Sequence, residues 1–482
     1  MNATDASAYP TVRQHIAGQW RAGGQGVSAQ VRNPATGQVL AEVPRASPQD
    51  LDDALAAAAA AFDPWRLKSP QERAAVLMRT AALVRERVED MARLMTLEQG
   101  KTLAESRMEF MLSAETFEWY AQEALRSYGR VIPPRVRGTR QLVVPQPLGP
   151  VAAFTPWNFP AILPARKIAP ALAAGCTMVL KPSEETPMSS LVLAQALADA
   201  GLPAGVLNVV FGVPSEVSTH LISSPLIRKV TFTGSTGVGR ELARLASIGP
   251  KPCTLELGGH APVLIFNDAD LERTVATCVQ GKSRNAGQVC TSPTRFMVQE
   301  GIHDAFVTRY GQALDALKVG PGLDTAHQMG ALANVRRVDA IEALVADAVA
   351  GGGRVVAGGQ RMGEQGYFFR PTLVVDTPST AQALKIEPFG PLALVRRFSS
   401  LDEGLALAND TPYGLAAYAF TQSAATAVTV SDELQAGGIG INTFAVSAIE
   451  APFGGLKDSG YGQEGGPEGL HSYLHMKYVH HA

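Results

Sequence analysis

Residues 151–187 read VAAFTPWNFPAILPARKIAPALAAGCTMVLKPSEETP. A short apolar run, Val151–Phe154, is followed by a Pro-punctuated turn, a helical stretch at about 161–174 and a second apolar run, Thr177–Lys181. Runs this short, bounded by Pro and Gly and separated by one helix, predict buried parallel strands joined by a crossover helix. The pattern continues with a helix at about 187–200 and strands at Val206–Phe211 and Lys229–Thr233. A second series follows residue 261, with strands at Pro262–Phe266, Thr294–Gln299 and Leu392–Phe398. Two such series predict an α/β protein of two lobes, each built on a parallel sheet, with a cleft between them.

Outside this frame, residues 16–44 read as short strands and turns broken at Asn33-Pro34. Ser47-Pro48-Gln49-Asp50 and Ser69-Pro70-Gln71-Glu72 each set a capping hydroxyl before a Pro and an acid in the first helical turn. They predict two helices, the second running towards Gly100. The Gly-rich stretch 437–466, with Pro452, reads as loop.

Composition removes several function classes. The 482 residues carry 42 Lys+Arg against 44 Asp+Glu, a net charge of −2, which gives no electrostatic case for a nucleic-acid binder. Hydrophobic residues at 46% and charged residues at 18% argue for a packed core over disorder. Four cysteines (Cys176, Cys253, Cys278, Cys290) do not make a disulfide scaffold in so long a chain. No apolar run reaches the ~18 residues of a membrane helix, and the N-terminus lacks a cationic and apolar leader. The expectation is a cytoplasmic protein with no membrane and no nucleic-acid partner.

Four segments carry chemistry. In Asn285-Ala286-Gly287-Gln288-Val289-Cys290-Thr291, Cys290 reads either as a nucleophile or as a packed structural thiol. Glu256, in Thr254-Leu255-Glu256-Leu257-Gly258-Gly259-His260, sits at an apolar strand end, where desolvation raises a carboxyl pKa towards that of a general base. Phe154-Thr155-Pro156-Trp157-Asn158 holds an Asn between prolines, either a turn residue or an amide donor to an oxyanion. Lys181-Pro182-Ser183-Glu184 suits ribose hydroxyls, and Gly234-Ser235-Thr236-Gly237-Val238-Gly239 opens a helix suited to a pyrophosphate. Its glycine spacing is not that of the G-x-G-x-x-G fingerprint.

In this order the segments resemble the aldehyde dehydrogenase superfamily, with Glu256-Leu257-Gly258-Gly259 and Gly287-Gln288-Val289-Cys290 as hallmark strings. The resemblance extends to Glu387-Pro388-Phe389-Gly390-Pro391, Asn442, Pro452-Phe453-Gly454-Gly455, Lys457 and Ser459-Gly460, and runs from Gly18-Gln19-Trp20 to Lys477. It implies a Rossmann-like cofactor domain (1–120 and 141–253), an α/β catalytic domain (254–448) and a small β oligomerisation flap (121–140 and 463–482). It also implies NAD(P)-dependent oxidation of an aldehyde and a homodimer or homotetramer, with no metal. By position, Cys290 is the nucleophile, Asn158 with the Cys290 N–H the oxyanion donor, and Glu256 the base that activates water. Glu464 matches a family acid placed in proton relay; a solvated loop carboxylate is the other reading. Lys181, Ser183 and Glu184 fall at the adenosine ribose. Thr155, Pro156, Trp157, Gly234, Ser235, Gly239 and Leu257 fall along the dinucleotide, and Glu387 and Phe389 at the nicotinamide end. Glu184 beside the 2′-hydroxyl repels a 2′-phosphate, so NAD is expected over NADP.

Within the superfamily the chain is most similar to succinate-semialdehyde dehydrogenases and one class of α-ketoglutarate-semialdehyde dehydrogenases. Arg166 and Arg284 match arginines that hold the distal carboxylate there, a role that suits a bidentate guanidinium; structural salt bridges are the alternative. Ser447 is a third substrate-binding candidate, although Ser447-Ala448-Ile449-Glu450 departs from the usual Ser-Ser pattern. Glu256 argues against a CoA-acylating branch, which lacks this base, and its retention with Cys290 and Asn158 against a catalytically silent protein.

Overall fold

The computed structural model describes residues 9–24 and 26–482. Its eight-stranded sheet contains five parallel strands, in the spatial order Leu207–Val209, Met178–Lys181, Val151–Phe154, Lys229–Thr233, Cys253–Glu256. Gln14–Ile16 with Gln19–Arg21 and, at the other edge, Gly460–Tyr461 close it as antiparallel strands. The crossover helices are Ile162–Ala174 and Pro187–Asp199. Every residue of Ile162–Ala174 is buried, because the helix is packed between the sheet and the helix Leu103–Ala124. That burial explains its all-round apolar sequence and makes its two cations, Arg166 and Lys167, costly unless partnered.

A seven-stranded sheet forms the second lobe, in the order Arg354–Ala357, Thr372–Val375, Leu392–Phe398, Pro293–Gln299, Ala261–Ile265, Ala416–Phe420, Gly438–Ile441. All its pairings are parallel except that of Arg354–Ala357. A separate three-stranded sheet joins Arg130–Ile132, Arg140–Pro147 and Leu474–His481, the last two paired over eight residues from Leu474↔Pro147 to His481↔Arg140. No helix among the described residues is long and apolar enough to cross a membrane.

Two sequence expectations need correction. The stretch 437–466 is not all loop: Gly438–Ile441 is a strand paired to Ala416–Phe420, and Gly460–Tyr461 pairs with Leu255 and Glu256. Its glycines hid these strands, since glycine is disfavoured in strands on propensity alone. The helix begun at Ser69 is also two helices, Pro70–Glu86 and Val88–Gln99, broken at Arg87 (φ −105°, ψ 11°) and ended by left-handed Gly100. Both N-terminal capping boxes are formed, Ser47 with Asp50 and Ser69 with Glu72.

Candidate active site

Parallel strands bring their C-terminal ends to one edge. The register pairs Phe154 with Lys181 and Phe232, and Thr233 with Glu256, so Thr155, Lys181, Gly234 and Glu256 leave the sheet together. Strand order reverses between Val151–Phe154 and Lys229–Thr233. In open α/β sheets ligands bind in the crevice at such a reversal. From the first strand leaves Thr155-Pro156-Trp157-Asn158; from the second leaves Gly234-Ser235, opening the helix Thr236–Ile248.

The crevice has the chemistry of an anionic dinucleotide site. Ser235 is the N-cap of its helix but makes no side-chain cap bond, leaving its hydroxyl and the helix N-terminus to an anion. The Thr155 and Thr233 hydroxyls are buried without partners. Lys181 pairs with Glu184 at 2.5 Å, and Glu184 also accepts the Gly212 N–H at 3.3 Å. The Ser183 hydroxyl accepts the Glu185 N–H at 3.2 Å. Pro156 leads into Trp157, whose ring meets Phe389 of the second lobe edge-on at 5.4 Å. Phe389 is itself left-handed (φ 47°). Glu387 accepts the Gly259 N–H at 3.0 Å. Burial pushes its carboxyl up to about 7, against the lowering effect of that N–H and of Arg337 and Lys282.

Cys290 sits after an unusual turn. Asn285, Ala286 and Gly287 are all left-handed, with φ of 47°, 51° and 72°. For the two non-glycines this costs on the order of 1–3 kcal/mol each and persists only where neighbours over-determine it. Those neighbours are present: Gln99 donates to the Asn285 carbonyl oxygen of its side chain at 2.9 Å, and the Asn285 N–H donates to Glu105 at 2.6 Å. Asn285 Nδ2 donates to the Asn158 carbonyl at 2.8 Å, and Asn158 Nδ2 to the Gln288 carbonyl at 3.1 Å. Glycine is required twice. A Cβ on Gly287 would lie 2.1 Å from the Gly390 carbonyl, and one on Gly259 2.2 Å from the Cys290 carbonyl. Gly259 therefore exists to let the Glu256 strand reach the cysteine turn.

A cavity of about 550 Å³ joins Cys290, Glu256, Glu464, Arg166, Arg284, Ser447 and Leu257. Asn158 lies behind it, buried, with one amide N–H engaged by Gln288, the second left for another acceptor, and an unpartnered Oδ1. The Cys290 thiol is pushed up to about 12 by burial and then by Glu387 and Glu256, opposed by Arg166 and Arg284. Glu256 is 2% exposed and neither carboxylate oxygen has a partner. Burial first and Glu464 second hold it well above the carboxylate range, while Lys167 and Arg166 pull it down. Glu464 is buried rather than solvated and is ion-paired with Lys167, which also donates to Thr231 at 3.1 Å.

Neither Arg166 nor Arg284 forms a salt bridge among the described residues. Arg166 donates to the Ser447 carbonyl at 2.7 Å and lies over the Phe453 ring at 5.2 Å. Arg284 lies over the Phe159 ring at 5.2 Å. The Ser447 contact is thus through its backbone oxygen. Lys181, Ser183, Glu184, Gly234, Ser235, Gly239, Glu387 and Phe389 do not line this cavity. Sequence reasoning missed Glu105 and Phe159; the Thr102-x-x-Glu105 capping pattern was the available signal for the first.

Comparisons with known proteins show the family and the fold. A 4-(hydroxymethyl)benzenesulfonate dehydrogenase of Comamonas testosteroni is 51% identical over 466 residues, 97% of either chain. The NADP-dependent succinate-semialdehyde dehydrogenase of Escherichia coli K12 is 45% identical over 464 residues, 96% of either chain. The crystal structure of a succinate-semialdehyde dehydrogenase from Burkholderia pseudomallei is similar at a TM-score of 0.96, with 42% identity over 99% of both chains. Residues 20–479 match the aldehyde dehydrogenase family as a whole. The chain belongs to the aldehyde dehydrogenase family and has its fold.

Proposed function

We propose that this aldehyde dehydrogenase oxidises aldehydes with an anionic group at the far end, such as succinate semialdehyde, to the carboxylic acid with NAD. The observation that carries the reading is one cavity holding a cysteine thiol, a buried carboxyl and two arginines without carboxylate partners. The Cys290 sulfur attacks the aldehyde carbon, its proton passing to solvent as the C–S bond forms. The free N–H of the Asn158 amide and the Cys290 backbone N–H hold the resulting oxyanion. When bound, the dinucleotide supplies the hydride acceptor. Loss of hydride from the thiohemiacetal carbon leaves a thioester on Cys290. Glu256 takes a proton from water as the oxygen attacks that thioester, releasing the acid and the Cys290 thiolate, which regains a proton from solvent. Glu464, held by Lys167, faces Glu256 and receives its proton.

In this reading 1–120 and 141–253 hold the dinucleotide and 254–448 supplies the cysteine. Thr155, Pro156, Trp157, Gly234, Ser235 and Gly239 lie along the dinucleotide, with Trp157 and Ser235 near the pyrophosphate, Lys181, Ser183 and Glu184 at the adenosine ribose, and Leu257, Glu387 and Phe389 towards the nicotinamide end. Residues 121–140 and 463–482, expected from the sequence as the flap for a homodimer or homotetramer, share their sheet with Arg140–Pro147, which extends the flap past residue 140.

Two arms test the reading. Arg284→Ala is expected to raise KM for succinate semialdehyde about tenfold or more, the worth of a charge-assisted hydrogen bond. KM for a neutral aldehyde of similar length stays unchanged; equal losses for both would make Arg284 structural. Glu184→Ser removes a carboxylate and frees Lys181 from its ion pair. It is expected to shift the kcat/KM ratio towards NADP by about tenfold or more. An unmoved ratio would detach Glu184 from the ribose.

One observation favours a second substrate class. Phe159 and Phe453 carry the two arginines on their faces and, with Leu163, Val289 and Ile449, make much of the wall apolar. An aryl aldehyde bearing a sulfonate, the aldehyde corresponding to the alcohol in the Comamonas relative's name, suits such a wall. Comparing kcat/KM for 4-formylbenzenesulfonate and succinate semialdehyde decides between them.

A further inference from the structure

The left-handed turn before Cys290 is held from another part of the chain. Glu105 is the third residue of the helix Leu103–Ala124, and one oxygen of its carboxylate closes a capping box with the Thr102 N–H (2.9 Å) and hydroxyl (2.8 Å). The other oxygen accepts the Asn285 N–H at 2.6 Å. The cap thus pre-sets the carboxylate, and the turn is pinned to a rigid helix. The same helix fixes the facing loop: Glu109 accepts the Ala161 and Ile162 N–H groups at 2.8 and 3.2 Å and pairs with Lys101, whose ammonium donates to the Asn158 carbonyl at 2.8 Å. Asn285 Nδ2 reaches that same Asn158 carbonyl. One helix therefore holds both the loop of the thiol and the loop of the amide donor.

We propose that Glu105 is a positioning residue that keeps the Cys290 turn left-handed and in register with Asn158. The proposal rests on the reading of Cys290 as the nucleophile. Its action is through the backbone of Asn285, so a neutral acceptor of the same shape suffices.

The test uses the full-length enzyme and two readouts: aldehyde turnover, and alkylation of Cys290 by iodoacetamide at alkaline pH, located by peptide mass spectrometry. Glu105→Ala lets the turn relax and exposes the half-buried thiol further. Alkylation is expected to rise about threefold or more while kcat falls about tenfold or more, with the dissociation constant for NAD unchanged. Glu105→Gln keeps one acceptor oxygen for the Asn285 N–H, losing the Thr102 N–H bond to its amide nitrogen, and restores most of both. Thr102→Ala loses the cap hydroxyl but not the Asn285 contact, and leaves both near the parent values. Should Glu105→Ala fail to fold, Gln99→Ala, which removes the other side-chain bond to Asn285, is expected to give the same opposed changes. Parent-like alkylation and kcat in Glu105→Ala, or equal effects in Thr102→Ala, overturn the proposal. A parent enzyme whose Cys290 resists iodoacetamide, and whose turnover survives Cys290→Ala, overturns the nucleophile reading instead.

Discussion

Cys290→Ala is expected to lower NADH production from any aldehyde by at least about 10³-fold, with NAD affinity held within about twofold. The size follows from what is lost. Under the proposed mechanism no tetrahedral carbon then forms for the Asn158 amide to stabilise, so the covalent route and its oxyanion donors go together. NAD affinity is spared because the dinucleotide candidates from Thr155 to Glu184 and from Gly234 to Gly239 leave the cofactor sheet outside the cavity that Cys290 lines. Thiol titration sharpens the test. With the thiol pushed up to about 12, the thiolate fraction at neutral pH is minute, so alkylation of the ligand-free enzyme is slow and climbs with pH through the alkaline range. Stopped-flow absorbance for turnover and peptide mapping for alkylation give the two measurements. Residual turnover above a hundredth of the parent, or loss of NAD binding, would remove Cys290 from the reaction centre.

The parallel core was legible because its signal is local. Val151–Phe154, Lys229–Thr233 and Leu392–Phe398 are short, apolar and bounded by turn residues, and each is a strand over those residues. Ala416–Phe420 and Gly438–Ile441 were not legible, since alanine and glycine carry no strand preference. At the site, Glu256 stood out as a charge at an apolar strand end, while Cys290 and Asn158 stayed open to structural readings until the family resemblance gave them roles. The state of Glu464 was not readable: its burial comes from Lys167, 297 residues away, on a helix whose apolar sequence gives no hint of an ion pair. The left-handed Ala286 was equally hidden, because nothing in an alanine announces it; converging bonds with Gln99, Glu105, Asn158 and Gln288 hold its neighbour in place.

Glu256→Gln should separate the two halves of the reaction. Hydride loss needs only Cys290 and its oxyanion donors, so a first turnover of NADH remains. Hydrolysis loses its base, and the steady rate falls by about 10²–10⁴-fold. Rapid mixing then shows a burst followed by a slow phase, and the thioester is trapped by hydroxylamine. The pH dependence follows from the same carboxyl. A base acts only when deprotonated, and burial with the Glu464 charge holds Glu256 well above the carboxylate range. In the parent the steady rate therefore rises with pH on its acid limb, while the burst amplitude does not follow it. Glu464→Gln removes a neighbouring negative charge and leaves Lys167 without its carboxylate partner, and both changes favour the ionised form of Glu256. Its acid limb is expected to move to lower pH. A limb that moves up, or a Glu256→Gln enzyme with the parent's steady rate and no burst, would mean that water is activated by some other group.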